Sequence, residues 1–272
     1  MTLPDIEIIE FDGRQVEIRQ AGQGPVLFLL HGIGSGSEAW LHQFPAFADR
    51  YRVIAWAAPG YGQSTDVTRD APVPRDYAKV LDGLFTALEI DRAILCGNSL
   101  GALFSGAFAY LTPDRVRGLF LSDAARGHAH LDEADRLEKL RARLSPLETL
   151  GVERMAKERA GNLLAPNASH ALLDQVAAIT ARIRPVGYGR AAHALSVGDL
   201  MEELSWYDGP VSVVCGAEDR VTPPDGNRDI AASRPQASFT LIPGAGHLPY
   251  IEMPEAFNVL LADFADAIGG AT

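Results

Sequence analysis

Only two cysteines, Cys96 and Cys215, occur in the 272 residues, too few for a disulfide-stapled scaffold. Both fall in short apolar runs, where a thiol serves as a small core filler. Positive charge is scarce: 24 Lys and Arg face 35 Asp and Glu, and the net charge is −11. That balance repels nucleic acid and anionic membrane surfaces, so neither is expected as a partner. No apolar run approaches the length that spans a bilayer. Met1 to Glu10 lacks the basic and apolar regions of a secretory signal, so the cytoplasm is the expected compartment. The seven histidines show no metal-ligand spacing, and neither a metal nor a cofactor is expected. There is no internal repeat or low-complexity segment. What is present is ordinary for a globular protein, 47% hydrophobic and 22% charged. The length suits one large domain with an insertion, as a monomer or homodimer.

The most informative stretch is Gly97-Asn98-Ser99-Leu100-Gly101, between the apolar run Ala93 to Cys96 and a helix-like stretch, Ala102 to Tyr110. A serine on a sharp strand-to-helix turn is thrust out of the backbone, and the new helix aims free N–H groups and its positive dipole end nearby. By itself the pattern is equally a glycine-rich turn that contains serine. A serine nucleophile needs a base, and the base needs an acid that fixes its tautomer. Asp219 follows the strand-like Val211 to Cys215 in a Gly-x-x-Asp-x-x-x-Pro setting. His247 follows the strand-like Ser238 to Ile242 in a Gly-rich loop. Asp123, at the end of the run Val116 to Ser122, is a rival acid. An oxyanion site requires two backbone N–H donors. Leu100 supplies one, and Ile33, in the loop His31-Gly32-Ile33-Gly34-Ser35-Gly36 after the run Val26 to Leu30, supplies the second.

Along the chain, eight short apolar runs alternate with longer amphipathic stretches, the pattern of a mostly parallel α/β sheet with crossover helices on both faces. Ile6 to Glu10 and Gln15 to Ala21 read as an antiparallel pair. Strands follow near 25–31, 52–56, 93–97, 116–122, 211–215 and 238–242, with helices from Ser37 to Asp49, Pro74 to Leu88 and 99 to 111. From Ala124 to Trp206 the alternation stops. This stretch is read as about four helices forming a cap, 124–206, inserted after the sixth strand into a core of 1–123 and 207–272.

The motifs at His31-Gly32, Pro59-Gly60-Tyr61-Gly62-Gln63-Ser64, the serine turn, Gly216 to Pro223 and Gly246-His247 together resemble the α/β-hydrolase family over nearly the whole chain. The similarity is strongest to bacterial 3-oxoadipate enol-lactonases and to meta-cleavage-product carbon–carbon hydrolases. The resemblance implies an eight-stranded α/β-hydrolase sheet under a helical cap. It also implies a Ser99-His247-Asp219 triad that hydrolyses a small carboxylic ester or enol-lactone through an acyl-enzyme. Carbon–carbon or amide and enamide hydrolysis by the same residues is the alternative, and a receptor that retains the triad is a different class. Arginine suits carboxylate recognition. A small, carboxylate-bearing substrate is therefore expected to meet Arg126, with His128, His130, Arg182, Arg184 and Arg190 nearby in the chain. Trp40 and Tyr188 are candidates for the substrate pocket. Tyr61, Phe104 and Trp206 are expected to pack.

Overall fold

The computed structural model describes residues 2–269. Eight strands form one sheet: β1 (Ile6–Phe11), β2 (Arg14–Ala21), β3 (Val26–Leu30), β4 (Arg52–Trp56), β5 (Ala93–Asn98), β6 (Val116–Ser122), β7 (Val211–Gly216) and β8 (Ser238–Ile242). Their order is β1-β2-β4-β3-β5-β6-β7-β8. β1 pairs antiparallel with β2 and β2 with β4, and every later pairing is parallel. β3 and β5 are buried along their whole length. A parallel strand covered by helices on both faces needs apolar residues at every position.

Alternate residues serve opposite layers. Phe28 and Leu30 of β3 join Leu81 and Phe85 of α2 (Pro74–Ala87) and Leu103 and Phe104 of α3 (Leu100–Leu111). Leu27 and Leu29 join Phe44 and Phe47 of α1 (Gln43–Phe47) on the other face. The single helix expected over 37–49 is two pieces, a 3-10 turn at Ser37–Trp40 and α1. Pro45 explains the break: its ring would clash with the carbonyl of Leu41, and it has no N–H to continue the ladder.

Between β6 and β7 the described residues form four helices joined by loops and no strand: α4 (Glu133–Leu163), α5 (His170–Thr180), α6 (Pro185–Val197) and α7 (Leu200–Leu204). α4 is two helical runs joined at Gly151, whose φ of 74° no helix interior adopts. The chain closes with α8 (Pro224–Ala232), α9 (Pro249–Glu252) and α10 (Pro254–Ala267). Among the described residues no helix is long and apolar enough to cross a membrane.

The parallel strands place the loop at 31–36, Ser99, Asp123, Asp219 and His247 at their C-terminal ends, the edge where α/β sheets bind ligands. α3 reaches this edge in direct contact with β3. A Cβ on Gly101 would lie 2.0 Å from the carbonyl oxygen of Leu30. Gly101→Val is therefore expected to destabilise the chain by about 3 kcal/mol or more. Gly161→Ala, on an open face of α4 with nothing within 4 Å, should stabilise it by about 0.5–1 kcal/mol. Urea midpoints test both, and the reverse order would contradict this packing.

Candidate active site

The loop after β3 is shaped by His31. Its Nε2 accepts from the backbone N–H of Ala58 at 3.0 Å, so the proton sits on Nδ1, which donates to the carbonyl of Gly32 at 2.8 Å. The ring also meets Tyr61 edge-on at 4.8 Å. Burial lowers the pKa of His31 to about 4, outweighing the Gly32 bond and the charge of Glu17. Gly34 turns the chain with φ +83°, and its N–H donates to the Tyr61 hydroxyl at 3.3 Å. The N–H of Ile33 is left without an acceptor among the described residues, as is that of Leu100, the first residue of α3.

Ser99 sits between β5 and α3 at φ 53° and ψ −114°. This conformation costs a non-glycine residue about 1–3 kcal/mol, and such strain is found where a side chain must be aimed. The turn is held by the Ser99 N–H donating to the carbonyl of Ser122 at 2.9 Å. Gly32 lies against it: a Cβ there would be 3.1 Å from Ser99 Cβ. Asn98 Nδ2 donates to the backbone carbonyl of His247 at 3.1 Å, which ties the serine turn to the histidine loop.

His247 Nδ1 and Asp219 Oδ2 are 2.9 Å apart, both side chains buried. Asp219 Oδ1 accepts from the backbone N–H groups of Val221 at 2.7 Å and Thr222 at 3.1 Å. Thr222 Oγ1 lies 2.7 Å from Asp219 Oδ2, 3.1 Å from His247 Nδ1 and 2.8 Å from the Asp123 carbonyl. Its single proton serves one oxygen at a time. Burial alone would raise the Asp219 carboxyl, but the charge and hydrogen bond of His247 and the donors of Thr222 and Val221 hold it well below the usual carboxylate range.

Asp123 is differently placed. It sits at φ 46°, accepts from the Gly216 N–H at 2.8 Å and from the Ser122 hydroxyl at 2.6 Å, and makes no bond to His247 among the described residues. Burial, reinforced by the charge of Asp219, pushes its pKa well up. Of the two rival acids, Asp219 is the one in contact with the imidazole. Cys215 approaches both carboxylates, but burial pushes its thiol up and keeps it protonated, which makes the trio a poor cation cradle.

A small cavity lies between this edge and the helices of 133–204. Gly32, Ile33, Asn98 and His247 form its floor, and Leu163, Val176, Ile179 and Thr180 its roof. The roof is stitched to the histidine loop: the His247 N–H donates to the Leu163 carbonyl at 2.8 Å. Glu252 accepts from the N–H groups of Ala165, Gly246 and Leu248 at 2.7, 2.9 and 3.1 Å.

The expected substrate contacts lie elsewhere. Arg126 is paired with Asp199, both bonds at 3.3 Å, and does not line the cavity. Arg182 pairs with Glu38, Arg184 with Asp66, and Arg190 with Asp70. Trp40 is a core residue, fully buried and stacked on Tyr250 at 4.2 Å. Tyr188 is buried behind Gly34, its hydroxyl accepting from Arg159. Phe104 packs on Tyr77 as expected, whereas Trp206 is 67% exposed, its ring nearly perpendicular to that of Tyr110. Thr222 and Glu252 act at the site without having been singled out in the sequence. Thr222 stands within the Gly216 to Pro223 stretch already marked as functional, and nothing local distinguishes Glu252 from other surface acids.

His31 yields a pH prediction. Its pKa is depressed by folding, from 6.5 to about 4, so its contribution to stability is complete above 6.5 and is lost as pH falls toward 4. Moving from about pH 7.5 to pH 5 should cost about 2 kcal/mol through this group. Denaturant unfolding of wild type and His31→Gln at both pH values tests this, since the variant should lose correspondingly less. Equal losses would refute the assignment.

The fold recurs in known proteins. The 2-hydroxy-6-oxo-6-phenylhexa-2,4-dienoate hydrolase of Burkholderia cepacia is 28% identical over 260 residues, covering 92% of this chain and 91% of its own. An esterase of Thermogutta terrifontis, solved with malate bound, superposes with a TM-score of 0.86 at 25% identity, covering 97% of this chain and 99% of that one. The enol-lactonase of Burkholderia xenovorans LB400 shares the fold, with a TM-score of 0.84 at 22% identity over 96% of this chain and 100% of its own. The Alpha/beta hydrolase family model matches residues 27–259, and the chain belongs to that family.

Proposed function

We propose that the protein is a serine hydrolase that cleaves a small carboxylic ester or lactone. One observation carries this reading: Ile33 with its unengaged N–H, Asn98 next to the strained Ser99, and His247, paired with Asp219 at 2.9 Å, line a single cavity. In the proposed reaction, Ser99 Oγ attacks the carbonyl carbon while His247 Nε2 takes its proton. Asp219 keeps the other proton on Nδ1 and stabilises the imidazolium that forms. The two N–H groups hold the tetrahedral oxyanion, each donor of such a pair being worth about 3 kcal/mol. His247 then protonates the leaving oxygen. In the second half-reaction it deprotonates a water that attacks the acyl-enzyme and frees the carboxylic acid and Ser99.

Residues 124–206 serve in this reading as a cap over a core of 1–123 and 207–272. Support comes from Leu163, Val176, Ile179 and Thr180, which face the floor of the cavity. The apolar roof suits a hydrocarbon portion of the substrate. A second reading, hydrolysis of a carbon–carbon bond in a dienol-type diketone, is favoured by the named activity of the Burkholderia cepacia relative. Side-by-side turnover of such a diketone, an enol-lactone and a simple ester separates the two.

Ser99→Ala should abolish turnover of short activated esters, and unchanged turnover would exclude the nucleophile. Asp219→Asn should lower kcat by about 10⁴-fold, as a wrong tautomer does. Asp123→Asn should stay within about tenfold of wild type, given the more local role of a group that does not touch the imidazole. The opposite ranking in a steady-state assay would move the acid to position 123.

A further inference from the structure

Ser99 and His247 are closed off from solvent, 5% and 3% exposed. A molecule reaches them only when part of the surrounding wall moves, and the wall is not equally fastened everywhere. The end of α4 is bonded to the core by the His247 N–H on the Leu163 carbonyl, by Arg220 on the carbonyls of Gly161 and Leu164, and by Glu252 on the Ala165 N–H. α6 is bonded by Arg184 on the Gly60 carbonyl, Arg190 on Asp70 and His193 on the Pro72 carbonyl. Gly187 of α6 also meets Gly60 backbone to backbone. α7 is bonded by the pair of Glu203 with Arg75.

α5 is the exception. Among the helices and strands it packs chiefly on α4. Among the described residues, 170–182 have one polar link to the core, Arg182 to Glu38 at 3.3 Å. The other hold is apolar, through the buried Val176 and Ala177, and apolar packing is non-directional.

That single link stands at a mouth. Ser35 and Ile179 line the cavity at His247, and both also line a second, more open pocket between α5 and the β1–β2 end of the sheet. Glu38 and Arg182 line this outer pocket too, together with the exposed Ile6 and Gln63. Two side chains thus separate the closed cavity from a pocket that faces solvent. The Arg182 side chain is 64% exposed and that of Glu38 15%. A pair this open to water shifts an equilibrium by no more than about fivefold. Such a link suits a latch that releases on every turnover better than a permanent tie.

We propose that substrate enters the cavity past Ser35 and Ile179, with α5 as the moving wall and the Arg182–Glu38 pair as the latch that holds it shut. The gap at these two side chains then takes part in selecting among esters, since a slender acyl group passes a narrow opening more readily than a branched one. The inference rests on the hydrolase reading for calling the incoming molecule a substrate, while the opening itself exists whether or not an ester is cleaved.

Two measurements test it. In the first, Ile251→Cys places a thiol in the cavity wall, where Ile251 is 4% exposed, and its reaction with dithiobis-nitrobenzoate reports how often the wall opens. Cys96 and Cys215 are fully buried, and the protein without the added thiol gives their background. Arg182→Gln or Glu38→Gln should raise the labelling rate by about two- to fivefold, and both together no further, because each removes the same interaction. An unchanged rate would overturn the latch.

In the second, Glu38→Cys and Arg182→Cys are bridged by a short bis-methanethiosulfonate, which forms a disulfide with each thiol and is released by dithiothreitol. The bridged protein should lose most of its turnover of 4-nitrophenyl acetate and regain it on reduction, the unbridged double variant serving as the control for folding. Turnover that survives bridging would overturn this entrance and leave the hydrolase reading standing. A labelling rate that responds to Arg182→Gln in a protein that hydrolyses no ester would support the entrance and defeat the hydrolase reading alone.

Discussion

The backbone contact between the start of α3 and the end of β3 sets the geometry of everything above the sheet. Gly101 lies against the Leu30 carbonyl with no space for a side chain, so the first turn of α3 and the loop that follows β3 are held as one unit. That closeness sets the first turn of α3 directly against the start of the loop that carries Ile33. It also presses Gly32 against Ser99, whose backbone is strained in consequence of the same sharp turn. The parallel register of β3, β5, β6, β7 and β8 then delivers the remaining groups to the same edge without any long-range adjustment.

Electrostatics divides the two neighbouring carboxylates between different states. Asp219 accepts from two backbone N–H groups and the imidazole, with the Thr222 hydroxyl also in reach, and is held ionised. Asp123, a short distance away, is pushed toward its neutral form by its full burial and then by that charge. Two acids in one polar cluster are thereby separated by environment rather than by type, the way paired carboxylates acquire distinct roles. The buried, neutral His31 performs a quieter task, since its two ring nitrogens bind the loops after β3 and β4 to one another.

The strands were legible in the sequence because a strand buried on both faces is a continuous apolar run, as Val26 to Leu30 shows. The serine turn was legible because glycine on each side of it is a steric requirement. The order of Ser99, Asp219 and His247 could be read since each follows its own strand. Other features depend on partners distant in the chain, and no local pattern reports them. Arg126, Arg182, Arg184 and Arg190 look alike as sequence, and only the fold shows each facing an acid. Trp40 was ambiguous for the same reason, since a tryptophan beside a glycine-rich loop suits a pocket or a core until Tyr250 is found stacked on it. The break at Pro45 was available in the sequence, as the ring chemistry alone forbids the longer helix.

The Glu252 carboxylate grips the chain just past α4 and both sides of His247 at once, and the His247 N–H reaches back to Leu163. The roof and the imidazole thus share a hinge. Lifting the helices would drag the imidazole with them, and settling them again would return it, so that the height of the roof and the position of the ring change together by mechanical linkage alone.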